Sequence, residues 1–349
     1  VFIIASLSSL FAGHLQLFSG VYGLTIIYGL FHLYLKKNLS PKNLFKCLIL
    51  ICLPIGLGAI QLWPTMELIN NSARVPQDYQ FLINQLLIQP KDLLRFFVPD
   101  LFGNPAVGNY LLQDPYPGKA VYIGLIPLAF SLLAIIFNEK RAKFFIIIPL
   151  LFLIFIIRSP LTEIFYKLQL PLISTSSPSN MIFIISFCLS ILAGFGLEKF
   201  YNKSKTIIRV IVSFVLIFLF IWIFKNQIGI VNRNLLYSTG IFLAFCSMML
   251  LGFIFKKERF SLILTIFFLI FTIFDSYYFF NKFNPFVPKE LVFPKAKVTE
   301  FLKKETGINR YWGYGTANIE ANFATQEKLF STDGYDPLYP RRYGEFIQS

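Results

Sequence analysis

Acidic side chains are scarce in this chain, 18 Asp and Glu against 32 Lys and Arg, and charged residues of both signs make up only 14% of it. Histidine is nearly missing, at two residues, and cysteine is held to Cys47, Cys52, Cys188 and Cys246. Each cysteine sits in an apolar run without metal-ligand spacing, so no disulfide framework is implied and the thiols read as small packing groups. The Walker phosphate loop, the dinucleotide fingerprint, His-Glu-x-x-His and Gly-x-Ser-x-Gly are all lacking. An ATP-driven pump and a membrane zinc protease are therefore disfavoured. No pair of Gly- or Pro-broken helices recurs in two matching halves, which weighs against a secondary transporter.

Apolar residues fill the space that charge leaves. They make up 56% of the sequence, with 42 Phe, far above the soluble average. Apolar runs occur at 1–12, 17–35, 44–63, 121–137, 143–157, 180–197, 207–224, 235–255 and 260–280. A bilayer core of roughly 30 Å needs about 20 helical residues, so these nine segments predict an all-α polytopic membrane protein. The first run is too short to span, and no basic segment precedes it as in a signal peptide. The expectation is a first helix truncated at its start.

The basic residues explain themselves as a topology signal. The connections 36–46, 138–143, 198–209 and 256–259 carry fourteen Lys and Arg within 33 positions. Pro64–Ala120 carries four in 57. By the positive-inside rule every second loop is cytoplasmic, and no nucleic-acid partner is needed to account for the charge. The segments 13–16, 64–120, 158–179, 225–234 and the tail from Asn281 then lie outside. Trp63, Trp222, Tyr277 and Tyr278 fall near the outer ends of their helices, as interfacial rings should.

This divides the chain into a transmembrane domain, 1–280, and an extracellular C-terminal segment, 281–349. The long outer loop holds prolines at 64, 76, 90, 99, 105, 115 and 117. Within it, 79–97 reads as one amphipathic helix lying in the interface on Phe81, Leu82, Leu86, Leu93, Leu94 and Phe97. Ser174–Pro178 reads as a cap for the next helix. The tail from Pro294 mixes Gly-Tyr-Gly and Asp-Gly turns with scattered aromatics, predicting the start of a mixed α/β domain with an opening helix at 296–304.

Chemistry-bearing residues collect at the outer face. His14 and Gln16 form a sharp turn that can bind an anion, shuttle a proton, or simply cap a hairpin. Gln61 precedes Trp63-Pro64, and a helix started by Pro64 would set Glu67 and Arg74 two turns apart on one face. Glu67 there can act as a base or bind sugar hydroxyls, and Arg74 suits a phosphate; the plain alternative is a solvated surface pair. Asp100 and Asn104 offer further oxygen ligands. Arg158, directly after an apolar helix, either faces an outer cavity or snorkels. Asp275 lies inside its helix, where a carboxylate is costly unless paired or wet, so a functional or helix-packing role is the default. His32, near the cytoplasmic end of its helix, reads as structural. Nothing in the sequence requires a cofactor, and no ligand set supports a divalent metal.

Taken in order, Ala12–Gln16, Ala59–Glu67 with Ser72–Arg74, Tyr122-Ile123-Gly124, Leu192–Leu197, Asp275 and Gly334–Leu338 resemble the YfhO family of bacterial membrane proteins. The similarity runs along nearly the whole chain. That family looks like the GT-C class of multi-span glycosyltransferases, so the resemblance implies a GT-C-like fold in the cell membrane. It implies transfer of a sugar from a polyprenyl-phosphate donor to an envelope polymer or glycolipid, with lipoteichoic acid glycosylation the best-known family role. Arg74 or Arg158 would hold the carrier phosphate; Glu67 or His14 would bind sugar or assist the proton. Gln16, Gln61, Asp100, Asn104, Tyr122 and Asp275 would line the substrate site.

Two departures qualify that carry-over. GT-C enzymes usually carry a key carboxylate on the first outer loop, a region that would precede Val1. Where the resemblance leads one to expect Arg before Leu192-Ala193-Gly194, 174–180 has none. Phosphate binding then shifts to other basic residues, or this member has lost activity. A non-catalytic envelope scaffold that handles a lipid intermediate is the alternative reading, with a transporter behind it. Membrane lipids are partners in every case.

Overall fold

A computed structural model of the chain describes all residues except 138–139, 169–175, 201–203, 255–257, 285, 316–318, 320–321, 335, 337 and 349. It is mostly helical, and no strand occurs among the described residues. The helices form two units, residues 1–61 with 76–283, and residues 62–75 with 284–349. The segment 62–75 groups with the tail.

The first unit opens with α1 (Phe2–Phe11), α2 (Leu15–Leu35) and α3 (Pro41–Leu57), and α4 (Ala59–Asn71) crosses into the second. His14 caps α2 by accepting the Leu17 amide, and Ser40 caps α3 with Pro41 at the first helical position. After the short α5 (Tyr79–Phe81) come α6 (Leu125–Phe137), α7 (Lys143–Ile156), α8 (Pro160–Lys167), α9 (Ile182–Phe200), α10 (Ser204–Ile228), α11 (Asn232–Ile254) and α12 (Glu258–Phe283).

Among the described residues five stretches are long and apolar enough to cross a membrane: Leu15–Leu35, Pro178–Phe200, Ile207–Ile228, Asn232–Leu251 and Leu262–Phe283. Helices α3 and α4 pass the same test only when taken together, and they are bent by 64° at Gly58, as in a broken span or a re-entrant loop. The runs expected at 1–12, 121–137 and 143–157 are helices of 10, 13 and 14 residues. At 1.5 Å per residue they fall short of a bilayer core.

Short α6 is the hub, packed against α9, α10, α11 and α12. Its Phe130 ring meets Phe268 at 5.3 Å, Phe200 at 5.5 Å and Phe245 at 6.2 Å, in the edge-on arrangement that aromatic quadrupoles favour. The α6–α9 contact is close because of Gly196: a Cβ there would lie 1.8 Å from the Phe130 carbonyl oxygen. The neighbouring Gly194 faces open space.

Three sequence expectations are corrected. The break in the Gly58 region falls at Gly58 itself, not at Trp63-Pro64; the missing side chain there lets Leu10 pack to within 2.2 Å of where a Cβ would sit. Pro64 lies inside α4. The amphipathic helix at 79–97 is instead α5, a π turn at Leu82–Leu86 and a 3-10 turn at Pro90–Phe96. Leu87 and Ile88 are extended between them, since Ile88 pairs with the chain at Ile157 and the residue before Pro90 is pushed out of helix. Leu82 and Leu86 face a protein core with Tyr166, not lipid. Ser177 supplies no cap hydrogen bond at Pro178, its hydroxyl pairing with Ser179 at 2.9 Å; positions 174–175 of that expected cap lie outside the described residues.

The second unit holds α13 (Lys289–Val292), α14 (Lys297–Thr306), α15 (Phe323–Gln326) and α16 (Arg341–Gln348). The opening helix expected at 296–304 is α14. In place of the expected mixed α/β fold there are single bridges, Tyr311 to Ser331 and Ser72 to Pro340, among the described residues. Glycines at 313, 315 and 334 interrupt both partners of the first before a ladder can extend. Tyr335 and Pro337 of the Gly334–Leu338 motif lie outside the described residues, as do parts of the basic loops 138–143, 198–209 and 256–259.

Candidate functional site

The segment between α4 and α6 is a folded cap built on buried charge. Asp92, 2% exposed, accepts from the Gln89 amide at 2.9 Å, from Arg95 Nε at 3.1 Å and from Lys119 Nζ at 3.1 Å. Lys119 also pairs with Asp114, which accepts a second hydrogen bond from the Tyr110 hydroxyl. Arg95 closes the ring by donating to Tyr110 at 3.2 Å and lying over the Phe102 ring at 5.1 Å. Two carboxylates and two cations therefore cancel inside the cap, the condition under which buried charge is tolerated. At Asp114 burial works to raise the pKa, but hydrogen bonds from Lys119 and Tyr110 outweigh it and hold the carboxyl below its ordinary value. Burial raises the Tyr110 hydroxyl, with its bond to Asp114 adding to the effect.

A second node anchors the cap to the helices. Asp100 accepts from the Tyr116 hydroxyl at 2.6 Å, Asn104 Nδ2 at 3.1 Å and Lys282 Nζ at 2.6 Å. Its backbone carbonyl accepts from Asn234 Nδ2 at 2.6 Å. Thus α11, through Asn234, and α12, through Lys282, grip the same residue. Burial and then the neighbouring Asp100 charge raise the Tyr116 pKa, so the hydroxyl remains a donor. Pro99, Asp100, Asn234, Tyr237, Tyr278, Phe279 and Lys282 enclose a cavity of ≈ 10 Å³, at the lower bound of room for one water.

Below this lies Asp275 on α12, 2% exposed. It accepts from the Tyr122 hydroxyl at 2.6 Å and the Tyr237 hydroxyl at 3.2 Å, and the Leu125 amide at the start of α6 points at it. The carboxylate therefore sits at the positive end of a helix dipole as well as between two phenols. Tyr237 stacks on Tyr278 at 4.4 Å.

The expected site residues separate into groups. Asp100, Asn104, Tyr122 and Asp275 come together in this buried network with protein partners. His14 makes the hairpin cap, and Gln16 beside it donates to the Ser177 carbonyl at 2.8 Å while Asn180 reaches its oxygen at 3.4 Å. Arg158, half-buried, pairs with Glu163 at 3.0 Å and donates to Asn84 at 2.7 Å. Gln61 and Glu67 are exposed on α4, and Arg74 is half-buried. The expectation that Glu67 and Arg74 share a helical face is corrected: α4 ends at Asn71, so Arg74 lies beyond it. Ser72 accounts for that end, bonding back to the Ile69 carbonyl and accepting the Arg74 amide. Both residues belong to the second unit, whereas the other eight belong to the first.

Sequence reasoning did not assign roles to Asp114, Tyr116, Lys119, Asn234, Tyr237 or Lys282. A lysine directly after an apolar span and an aspartate five residues before a lysine were the available signals, and both are common. Among the described residues no three His, Cys, Asp or Glu side chains converge as a metal set would. No family model, curated protein or solved structure matches the chain.

Proposed function

We propose that this is a GT-C-like membrane glycosyltransferase of the YfhO type. In this reading it takes a sugar from a polyprenyl-phosphate carrier and passes it to an envelope polymer or glycolipid at the outer face. The ordered motif resemblance and the alternating basic loops support the reading. The observation that carries it furthest is the cap itself. The segment 72–124 between α4 and α6, held on α11 and α12 by Asp100, offers a fixed platform beside lipid, which a lipid-borne donor and a bulky acceptor both need. A polytopic arrangement with the cap and the tail on the outer side belongs to the same proposal.

Within it the roles narrow. Asp100, Asn104, Tyr122 and Asp275 hold the platform from inside. Glu67, exposed, is the candidate to bind sugar or assist the proton, and Arg74 or Arg158 to hold phosphate. Sugar incorporation into envelope polymer by cells carrying the full-length protein tests this. Glu67→Ala or Arg74→Ala abolishes incorporation with membrane insertion intact; incorporation that survives both changes removes the site assignment.

A non-catalytic scaffold is the second reading, and a specific observation favours it. Asp92, Asp100, Asp114, Asp275 and Glu163 are each engaged by protein donors. The scaffold predicts that polymer glycosylation tolerates every carboxylate change that leaves the cap folded.

A further inference from the structure

Helices α2, α7 and α9 leave a cleft of about 230 Å³ between them, lined by Leu24, Thr25, Tyr28, Phe144, Phe145, Phe187 and Ile191. It is almost wholly apolar. The Thr25 hydroxyl is engaged by the Val21 carbonyl at 2.8 Å, and the Tyr28 ring closes one wall against Phe144 at 5.1 Å and Phe145 at 5.6 Å.

What distinguishes the cleft is how its walls continue. On α2 the lining residues Leu24 and Tyr28 are followed at the same helical spacing by His32 and Lys36. On α9 Phe187 and Ile191 are followed at the same spacing by Phe195 and Lys199. On α7 Lys143 directly precedes Phe144. All three walls therefore run from an apolar cleft to a cationic end. Ring contacts join the two parts: Tyr28 to His32 at 6.3 Å, and Phe145 to Phe195 at 6.3 Å. Arg141 lies over Phe195 at 5.4 Å and is balanced by Glu198 at 3.7 Å. Among the described residues Lys36, Lys143 and Lys199 carry the excess charge.

We propose that this cleft is a binding site for one anionic phospholipid, its acyl chain between Tyr28, Phe144 and Phe187 and its phosphate among Lys36, Lys143 and Lys199. A neutral lipid would fill the apolar part equally well, but it would leave the lysines without a counter-charge. Basic pockets between membrane helices select anionic head groups on these grounds. The inference is independent of the proposed glycosyl transfer, since it concerns neither the cap nor the second unit.

The test is native mass spectrometry on the whole delipidated protein, titrated separately with phosphatidylglycerol and phosphatidylcholine. One phosphatidylglycerol should bind about tenfold or more tightly than phosphatidylcholine, each lysine near a head group adding to the preference. The triple change Lys36→Gln, Lys143→Gln, Lys199→Gln should erase the preference and leave phosphatidylcholine binding unchanged. Ile191→Trp, which fills the cleft, should weaken both lipids; if that variant fails to fold, the outward-facing lysine variant decides alone. Equal affinity for the two lipids in the unchanged protein, or a preference that survives the triple change, overturns the proposal.

Discussion

Lys282 Nζ and Asp100 Oδ2 meet at 2.6 Å although 182 residues separate them, and both are largely withdrawn from solvent. The pair joins the cap to the end of α12, and each partner alone would be a buried charge without compensation. Lys282→Met should therefore destabilise the first unit by about 3 kcal/mol, read as a lowered unfolding midpoint in detergent. The double variant Asp100→Asn, Lys282→Met should recover much of the loss. An unchanged midpoint in the single variant would remove the anchoring role.

The acid response of the cap follows from Asp114. Its carboxyl binds a proton more weakly folded than unfolded. Its contribution is therefore complete above the ordinary carboxylate value of about 4 and is lost as pH falls through the lower folded value. Hydrogen exchange at 110–119, corrected for intrinsic rate, should keep its protection down to about pH 4 and lose it progressively below. Lys119→Met removes a donor that holds the value down, so the loss should begin at higher pH. Protection that is flat through this range in both proteins would show that the ring does not hold the cap.

Tyr110 and Tyr116 give the opposite limb. Both hydroxyls are raised by burial and serve as donors to carboxylates. A raised folded value contributes stability that is complete below the ordinary tyrosine value of about 10 and is lost as pH rises through the folded one. Ultraviolet titration of Tyr110→Phe and Tyr116→Phe should show that each change removes a phenol that ionises late, leaving the early-titrating set unaltered. Loss of an early-titrating phenol instead would place that hydroxyl in water.

The longer apolar helices were legible in sequence because each carries its own signal of length and composition, whereas the runs at 1–12, 121–137 and 143–157 carried the composition without the length. Asp275 was legible for a related reason, since a carboxylate inside an apolar helix demands compensation wherever it falls. Its partners were not, because Tyr122 lies 153 residues away and no spacing rule reaches that far. The Gly58–Pro64 region misled for a local reason. Proline is a breaker in soluble helices, but membrane helices tolerate it, and the break fell at Gly58 instead. The single helix expected at 79–97 failed because its apolar positions fit a helix while its middle was claimed by backbone bonds to Ile156 and Arg158.

The two glycines of Leu192–Leu197 make a paired test of packing. Gly196→Ala forces a methyl against the Phe130 carbonyl and should cost about 1–3 kcal/mol or more as α6 and α9 part. Gly194→Ala meets nothing within 4 Å and should change stability by less than about 1 kcal/mol, toward stabilisation. Unfolding midpoints of the two proteins in one detergent decide the matter. Equal effects would mean that the close approach at Gly196 is not a tight constraint.

Asp275 separates a packing role from a charge role. Asp275→Ala leaves the Tyr122 and Tyr237 hydroxyls without their carboxylate acceptor in a buried site, each at a cost of about 1–3 kcal/mol, while the Leu125 amide keeps only the Tyr122 oxygen. Asp275→Asn retains one carbonyl oxygen and the side-chain shape but loses the charge facing the start of α6. If Asp275 acts as an acceptor that caps α6, Asn should keep most of the stability that Ala loses. If its charge against the helix dipole dominates, the two variants should fall together, because Asn supplies no anion. Tyr122→Phe completes the cycle. Its effect should shrink in the Asp275→Ala background, since the hydroxyl then has nothing left to donate to, and effects that simply add would show that the two residues do not act as a pair.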